Sequence, residues 1–111
     1  MTRPIRLQLS RCRGFDLQGV SRSVNGLAAV HVGRPSIFGN PFKVGVDGDA
    51  RTCIARFRCA LRATEIKALD TKPDAARILR SLDRLRGKNL ACWCALGTPC
   101  HADVLLEIAN R

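Results

Sequence analysis

The sequence predicts a small α/β domain with a short, mostly parallel sheet flanked by about three helices. Three observations predict it. Two short apolar runs, Leu27–Val32 (LAAVHV) and Asn89–Cys94 (NLACWC), read as strands buried on both faces. Two amphipathic helical patterns separate them, and a third follows the second run. A strand, a helical crossover and another strand give neighbouring parallel strands, right-handed in nearly all known cases.

Taken in order, residues 1–26 read as an irregular or edge-strand segment of a single domain spanning 1–111. Ile5–Leu9 alternates as a short strand does, while Arg11–Gly26 carries the Gly and Ser of a loop. The run Leu27–Val32 leads into the loop GRPSIFGNPF (Gly33–Phe42). A helix is then expected over Ala50–Ala63, capped by Asp49. Its apolar stripe is Ala50, Cys53, Ile54, Phe57 and Leu61, with Arg51, Arg58 and Arg62 on the other side. A second helix starts near Pro73, turns Ala75, Ile78, Leu79, Leu82 and Leu85 inward, and stops at Gly87. After the second strand, the last helix is expected to begin at Thr98-Pro99, a cap and a first-turn proline, and to end near Ala109. Val104, Leu105 and Ile108 form its inner face.

At 111 residues, 46% hydrophobic and 25% charged, the chain has the composition of one ordinary folded domain. No apolar run approaches the roughly 18 residues that cross a bilayer. The basic N-terminus lacks the apolar stretch of a secretory signal, so the chain reads as cytoplasmic, with no membrane partner. Its six cysteines are therefore expected to be reduced. Cys53 and Cys59 point in different directions on one helix. Cys92 and Cys94 alternate along a strand with Cα atoms ~7 Å apart, at the limit for a bridge.

The net charge is +10, from 19 basic and nine acidic residues. Such an excess favours polyanions: nucleic acid, a nucleotide or another phosphate-bearing ligand. Fifteen of the 19 are Arg and they scatter along the chain, which is also what an Arg-rich codon usage produces.

Parallel packing of the two apolar strands has a geometric consequence. The loops leaving their C-terminal ends, Gly33–Phe42 and Ala95–Pro99, open on the same sheet edge, where open α/β sheets bind ligands. The segment CWCALGTPCHAD places Cys92, Cys94, Cys100, His101 and Asp103 within twelve residues of that edge. Cys92 and Cys94 share a strand face and Trp93 points away. A zinc site of Cys92, Cys94, Cys100 and His101 is one reading, since Zn²⁺ takes four tetrahedral Cys or His ligands. Against it, adjacent helical side chains diverge by about 100°. A catalytic reading makes Cys100 a first-turn thiolate favoured by the helix dipole, His101 or His31 its base and Asp103 an orienting carboxylate. In a third reading, the cysteines pack as small hydrophobes and His101 bonds the preceding loop.

The glycine loop is tightly prescribed by Gly33, Gly39 and two X-Pro steps. Arg34, Ser36, Gly39 and Asn40 are its candidate phosphate contacts. The start of the last helix offers further free N–H groups to an anion. Ile37, Phe38 and Phe42 are expected to be buried. The loop is neither a Walker loop nor a dinucleotide fingerprint.

Val32–Phe42 (VGRPSIFGNPF) and Leu85–Ile108 (LRGKNLACWCALGTPCHADVLLEI) resemble domain of unknown function 4326, a family of small bacterial and phage proteins. Arg11 and Gly14 resemble its R-x-x-G, and Gln18–Gly26 stands as an insert relative to its pattern. The resemblance implies a compact α/β domain. Its shared positions fall on Arg34, Ser36, Gly39, Asn40, Pro41, Cys92, Cys94, Cys100, His101 and Asp103. It implies no reaction.

Three functions follow as expectations. The leading one is a nucleotide- or nucleic-acid-binding protein, with Arg34, Ser36 and the last helix holding phosphate and the Cys/His cluster supplying any chemistry. The alternatives are a zinc-stabilised binding module without catalysis, and a basic accessory protein with structural cysteines.

Overall fold

A computed structural model describes residues 3–33, 36–65 and 73–110. Three strands, β1 (Arg6–Gln8), β2 (Ala29–His31) and β3 (Asn89–Cys92), form a sheet of order β1-β3-β2 in which both pairings are parallel. The predicted neighbours are therefore adjacent, with Val30 opposite Leu90. All four residues of the central strand β3 are buried, as a strand covered on both faces requires.

Alternation divides the sheet into two faces. Val30, Val32, Leu90 and Cys92 face the larger core, shared with Phe57 and Leu61 of α2 (Ala50–Glu65), Ile78 of α3 (Pro73–Arg80) and Leu105 of α4 (His101–Ala109). Leu7, Ala29 and Ala91 face the smaller one with Leu17, the first residue of α1 (Leu17–Asn25).

Helix α1 occupies the stretch that its Gly and Ser content marks as a loop. The apolar pattern misleads here because Val20 and Val24 are exposed, at 40% and 53%, while the buried side carries Ser21. Polar groups hold this helix. The Gln18 amide accepts from the Ala29 N–H at 2.9 Å and donates to the Ala29 carbonyl at 2.8 Å. It bonds edge strand β2 as a neighbouring strand would. The Ser21 hydroxyl donates to the Leu27 carbonyl at 2.6 Å. Gly26, at φ 79°, ends the helix with its N–H on the Arg22 carbonyl.

Asn89 joins α1 to the centre of the sheet. Its side-chain oxygen accepts from Ile5 N–H at 3.0 Å and from Asn25 at 2.9 Å. Its nitrogen donates to Ser21 at 2.8 Å and to the Asn25 oxygen at 2.8 Å. A fully buried amide with every group paired fixes a helix on a strand where only Leu17 of that helix adds apolar contact.

Helix α2 runs two residues beyond Ala63, and the Asp49 carboxylate caps it by accepting from the Thr52 N–H at 2.8 Å. Cys53, Phe57 and Leu61 are buried as the stripe requires, whereas Ala50 is exposed at the helix start. The helix expected from Pro73 to Gly87 is interrupted. Helix α3 stops at Arg80, and a 3₁₀ turn, Leu82–Arg84, follows. The N–H groups of Ser81, Arg84 and Leu85 bond three residues back, to Ile78, Ser81 and Leu82. This tighter winding still buries Ile78 and Leu85 completely. No helix among the described residues is long and apolar enough to cross a membrane.

Candidate metal centre

Beyond Cys92 the chain continues through Trp93 and Cys94 and reverses in a turn at Ala95–Thr98. The Thr98 N–H and hydroxyl both donate to the Ala95 carbonyl, at 3.2 and 2.5 Å. Gly97 takes φ 88°, open at little cost only to a residue without Cβ. Thr98 is thus occupied with its own turn, and the helix starts later than its sequence suggests. Cys100 is the N-cap, with extended backbone (φ −150°, ψ 143°), and His101 is the first helical residue.

The reversal brings Cys100 back onto the strand it left. Its Sγ lies 2.9 Å from Cys92 Sγ, and the Sγ atoms of Cys92, Cys94 and Cys100 all lie within 4.8 Å of one another. Cys92 and Cys100 are buried and Cys94 is half-buried. All six cysteines of the chain are free, as the sequence predicts.

Contacts between the thiols and burial set their acidities. The contact with Cys92, in which either thiol can donate, together with burial pushes the Cys100 thiol up to about 11. The same contact lowers Cys92, and burial raises Cys94. Cys100 is therefore not the expected first-turn thiolate. It sits one position before the helix, makes no cap bond, and faces sulfur. The thiolate form is favoured at Cys92.

His101 lies 9% exposed beneath the first turn of α4, with Phe57 edge-on at 5.8 Å. Its Nε2 is 2.7 Å from the Val32 carbonyl oxygen. A carbonyl only accepts, so Nε2 carries a proton, and when the ring is neutral Nδ1 keeps its lone pair. Nδ1 is 3.7 Å from Cys100 Sγ. Asp103 does not orient this ring. It is 55% exposed and pairs at 2.9 Å with Arg6, whose side chain is 8% exposed. His31 does not serve the cluster either. It lies opposite Ala91 on the face under α1, while Cys92 projects from the other face.

Arg6 is the residue that sequence reasoning missed. From β1 its guanidinium donates to the Thr98 carbonyl at 2.8 Å, the Ala95 carbonyl at 3.0 Å and the Asp103 carboxylate at 2.9 Å. It clamps the turn that carries Cys94 to Cys100. The available signal was its place, in register with Leu90 on the α4 side of the sheet.

The glycine loop reaches the cluster as predicted. Gly33, Asn40 and Phe42 line the same pocket as Cys92, Cys94, Cys100 and His101, a cavity of about 300 Å³. Arg34 lies outside the described residues. Ser36 and Gly39 belong to consecutive tight turns, with Ser36 N–H on the Gly33 carbonyl and Gly39 N–H on the Ser36 carbonyl. The Ser36 hydroxyl is buried without a hydrogen-bond partner among the described residues, and neither residue lines the pocket. Asn40 is a structural tie: its oxygen accepts from Phe42 N–H at 2.9 Å and its nitrogen donates to the Cys53 carbonyl at 3.2 Å. Phe38 is core, 2% exposed, with Ile37 and Phe42 packed against it.

The pocket walls are mostly apolar: Phe42, Val44, Ile54, Trp93 and Pro99. Two wall rings carry a guanidinium, Arg11 over Trp93 at 4.8 Å and Arg56 over Phe42 at 5.9 Å.

No curated protein and no solved structure matches the chain. Residues 19–111 match the family described as domain of unknown function (DUF4326), so Arg11 and Gly14 precede the match and 19–26 fall within it. Covering nearly the whole chain, including every element of the cysteine cluster and its pocket, the match shows that the protein belongs to the DUF4326 family.

Proposed function

We propose that this protein is a zinc-binding domain in which Cys92, Cys94 and Cys100 hold the ion at one end of a ligand pocket. The observation that carries the reading is the approach of three sulfurs to within 4.8 Å of one another. Tetrahedral zinc at about 2.3 Å from each sulfur sets them about 3.8 Å apart. Small displacements, chiefly an opening of the 2.9 Å contact between Cys92 and Cys100, meet that requirement. Thiolates select a soft ion, and zinc suits them without adding redox chemistry. Three protein ligands leave the fourth position to water or to a molecule in the pocket, the arrangement of zinc sites that polarise a bound group.

A second reading has its own observation. His101 Nδ1, with its lone pair free, is 3.7 Å from Cys100 Sγ, close to the roughly 3.6 Å between a sulfur and a nitrogen ligand on one zinc. Its other ring nitrogen donates to a backbone carbonyl, as metal-bound histidines do. In this reading His101 closes the site and zinc is structural.

Metal analysis of protein prepared without chelator tests both. One zinc per chain, lost in Cys94→Ser, supports the site. Metal-free protein of undiminished stability, with no zinc taken up on addition, overturns it and leaves the cysteines as core packing. Cobalt substitution separates the two readings. Exogenous imidazole, a neutral ligand at mildly alkaline pH, changes the spectrum of a three-cysteine site with an open position and leaves a closed Cys₃His site unchanged.

A further inference from the structure

We infer that the pocket binds a mononucleotide, its base against Phe42 and Trp93 and its phosphate at the rim between Arg11 and Arg56. For the pocket's inner end, the inference rests on the zinc reading above.

The walls ask for a planar apolar group. Phe42 and Trp93, from the glycine loop and from the end of β3, present two rings to one cavity, and Ile54 and Pro99 complete an apolar lining. Every nucleobase has a face that stacks on such rings, whatever its hydrogen-bonding edge. A volume of about 300 Å³ is at the small end for ligand sites and excludes a large substrate.

Charge sets the direction of entry. Three thiolates outweigh a divalent ion, so the inner end carries a net charge of about −1 when zinc is bound. An anion is repelled there, while a neutral ring nitrogen or carbonyl oxygen is accepted. The cations stacked on the wall rings have the opposite sign. Arg11 and Arg56 lie over Trp93 and Phe42. Of the nearby carboxylates, Asp47 reaches Arg56 only at 3.9 Å, Asp49 is engaged in capping α2, and Asp103 is held by Arg6. A net charge of +10 adds a long-range attraction for the phosphate. A ligand that enters base first and leaves its phosphate outside meets each of these demands.

Trp93 is the sole tryptophan and the chain has no tyrosine, so intrinsic fluorescence reports on this wall directly. Zinc-loaded protein, its metal content measured, is titrated with AMP, GMP, CMP and UMP, with the matching nucleosides, with ribose 5-phosphate and with a short single-stranded oligonucleotide. The expected result is a saturable change with at least one mononucleotide. Its nucleoside should bind about tenfold more weakly, as the loss of one charge-assisted contact implies, and ribose 5-phosphate should give no change. Arg11→Ala and Arg56→Ala should each narrow the gap between nucleotide and nucleoside. Calorimetry confirms each affinity independently of the fluorophore. No saturation with any mononucleotide, or binding of the oligonucleotide alone, overturns the proposal. Equal affinity for nucleotide and nucleoside overturns the role of the arginines. Mononucleotide binding by protein that takes up no zinc would sink the metal reading while leaving the aromatic pocket standing.

Discussion

His101 Nε2 donates to the Val32 carbonyl at 2.7 Å, across 69 residues of chain. This one bond fastens the start of α4 to the end of β2, and so fastens the cysteine segment to the glycine loop. His101→Ala removes a buried bond, orphans a carbonyl and leaves a space beside Phe57. It should cost about 3 kcal/mol in chemical denaturation. Zinc stoichiometry should stay at one in the three-cysteine site and fall only if Nδ1 is the fourth ligand.

Arg6 and Asp103 form an ion pair whose two members are not equivalent. Arg6→Met removes its bonds to the Ala95 and Thr98 carbonyls, leaving only the Thr98 donors on Ala95, and should cost about 2 kcal/mol while weakening zinc binding. Asp103→Asn leaves both of those bonds in place at an exposed position, and should change stability by no more than about 0.5 kcal/mol. Denaturation curves and zinc competition on the two variants check this. Equal effects would contradict the clamp.

Asn89 satisfies four polar partners at the centre of the sheet. Asn89→Leu keeps the branching of the side chain but removes all four bonds, leaving Ile5 N–H without this acceptor and the Asn25 and Ser21 side chains with fewer partners. A loss of about 3 kcal/mol is expected. Amide exchange should show α1 protected less than α2, because the amide anchors that helix.

Zinc affinity should fall as pH falls, and the direction follows from the thiols. Metal binds thiolate, and in the metal-free site Cys100 keeps its proton up to about 11. Zinc uptake at neutral pH therefore displaces protons, and affinity rises with pH throughout the range below that value. Competition with a chromophoric chelator at several pH values, or proton release in weak buffer, reads it. An affinity independent of pH would remove Cys100 from the ligand set.

Much of the fold was legible because it depends on apolar periodicity. LAAVHV and NLACWC are continuous apolar runs, and they became parallel neighbours. The stripe Cys53, Phe57, Leu61 likewise found the core. Helix α1 escaped for the opposite reason: its attachments are the side-chain hydrogen bonds of Gln18, Ser21 and Asn25, which leave no hydrophobic period to read. The break after Arg80 escaped too, since Ile78 and Leu85 point inward in either winding.

The sequence alone determined that five chemically distinctive side chains would gather at one sheet edge, because strand alternation and a parallel crossover are local and topological rules. Only the tertiary structure decided what each of them does. Cys100 is pushed away from the thiolate form by a contact with the Cys92 sulfur eight residues away. Asp103 was taken by Arg6 from 97 residues away, and His101 was turned onto Val32. Hydrogen bonds and ion pairs act over a few ångströms and depend on which atoms arrive there, and arrival is a property of the packed chain.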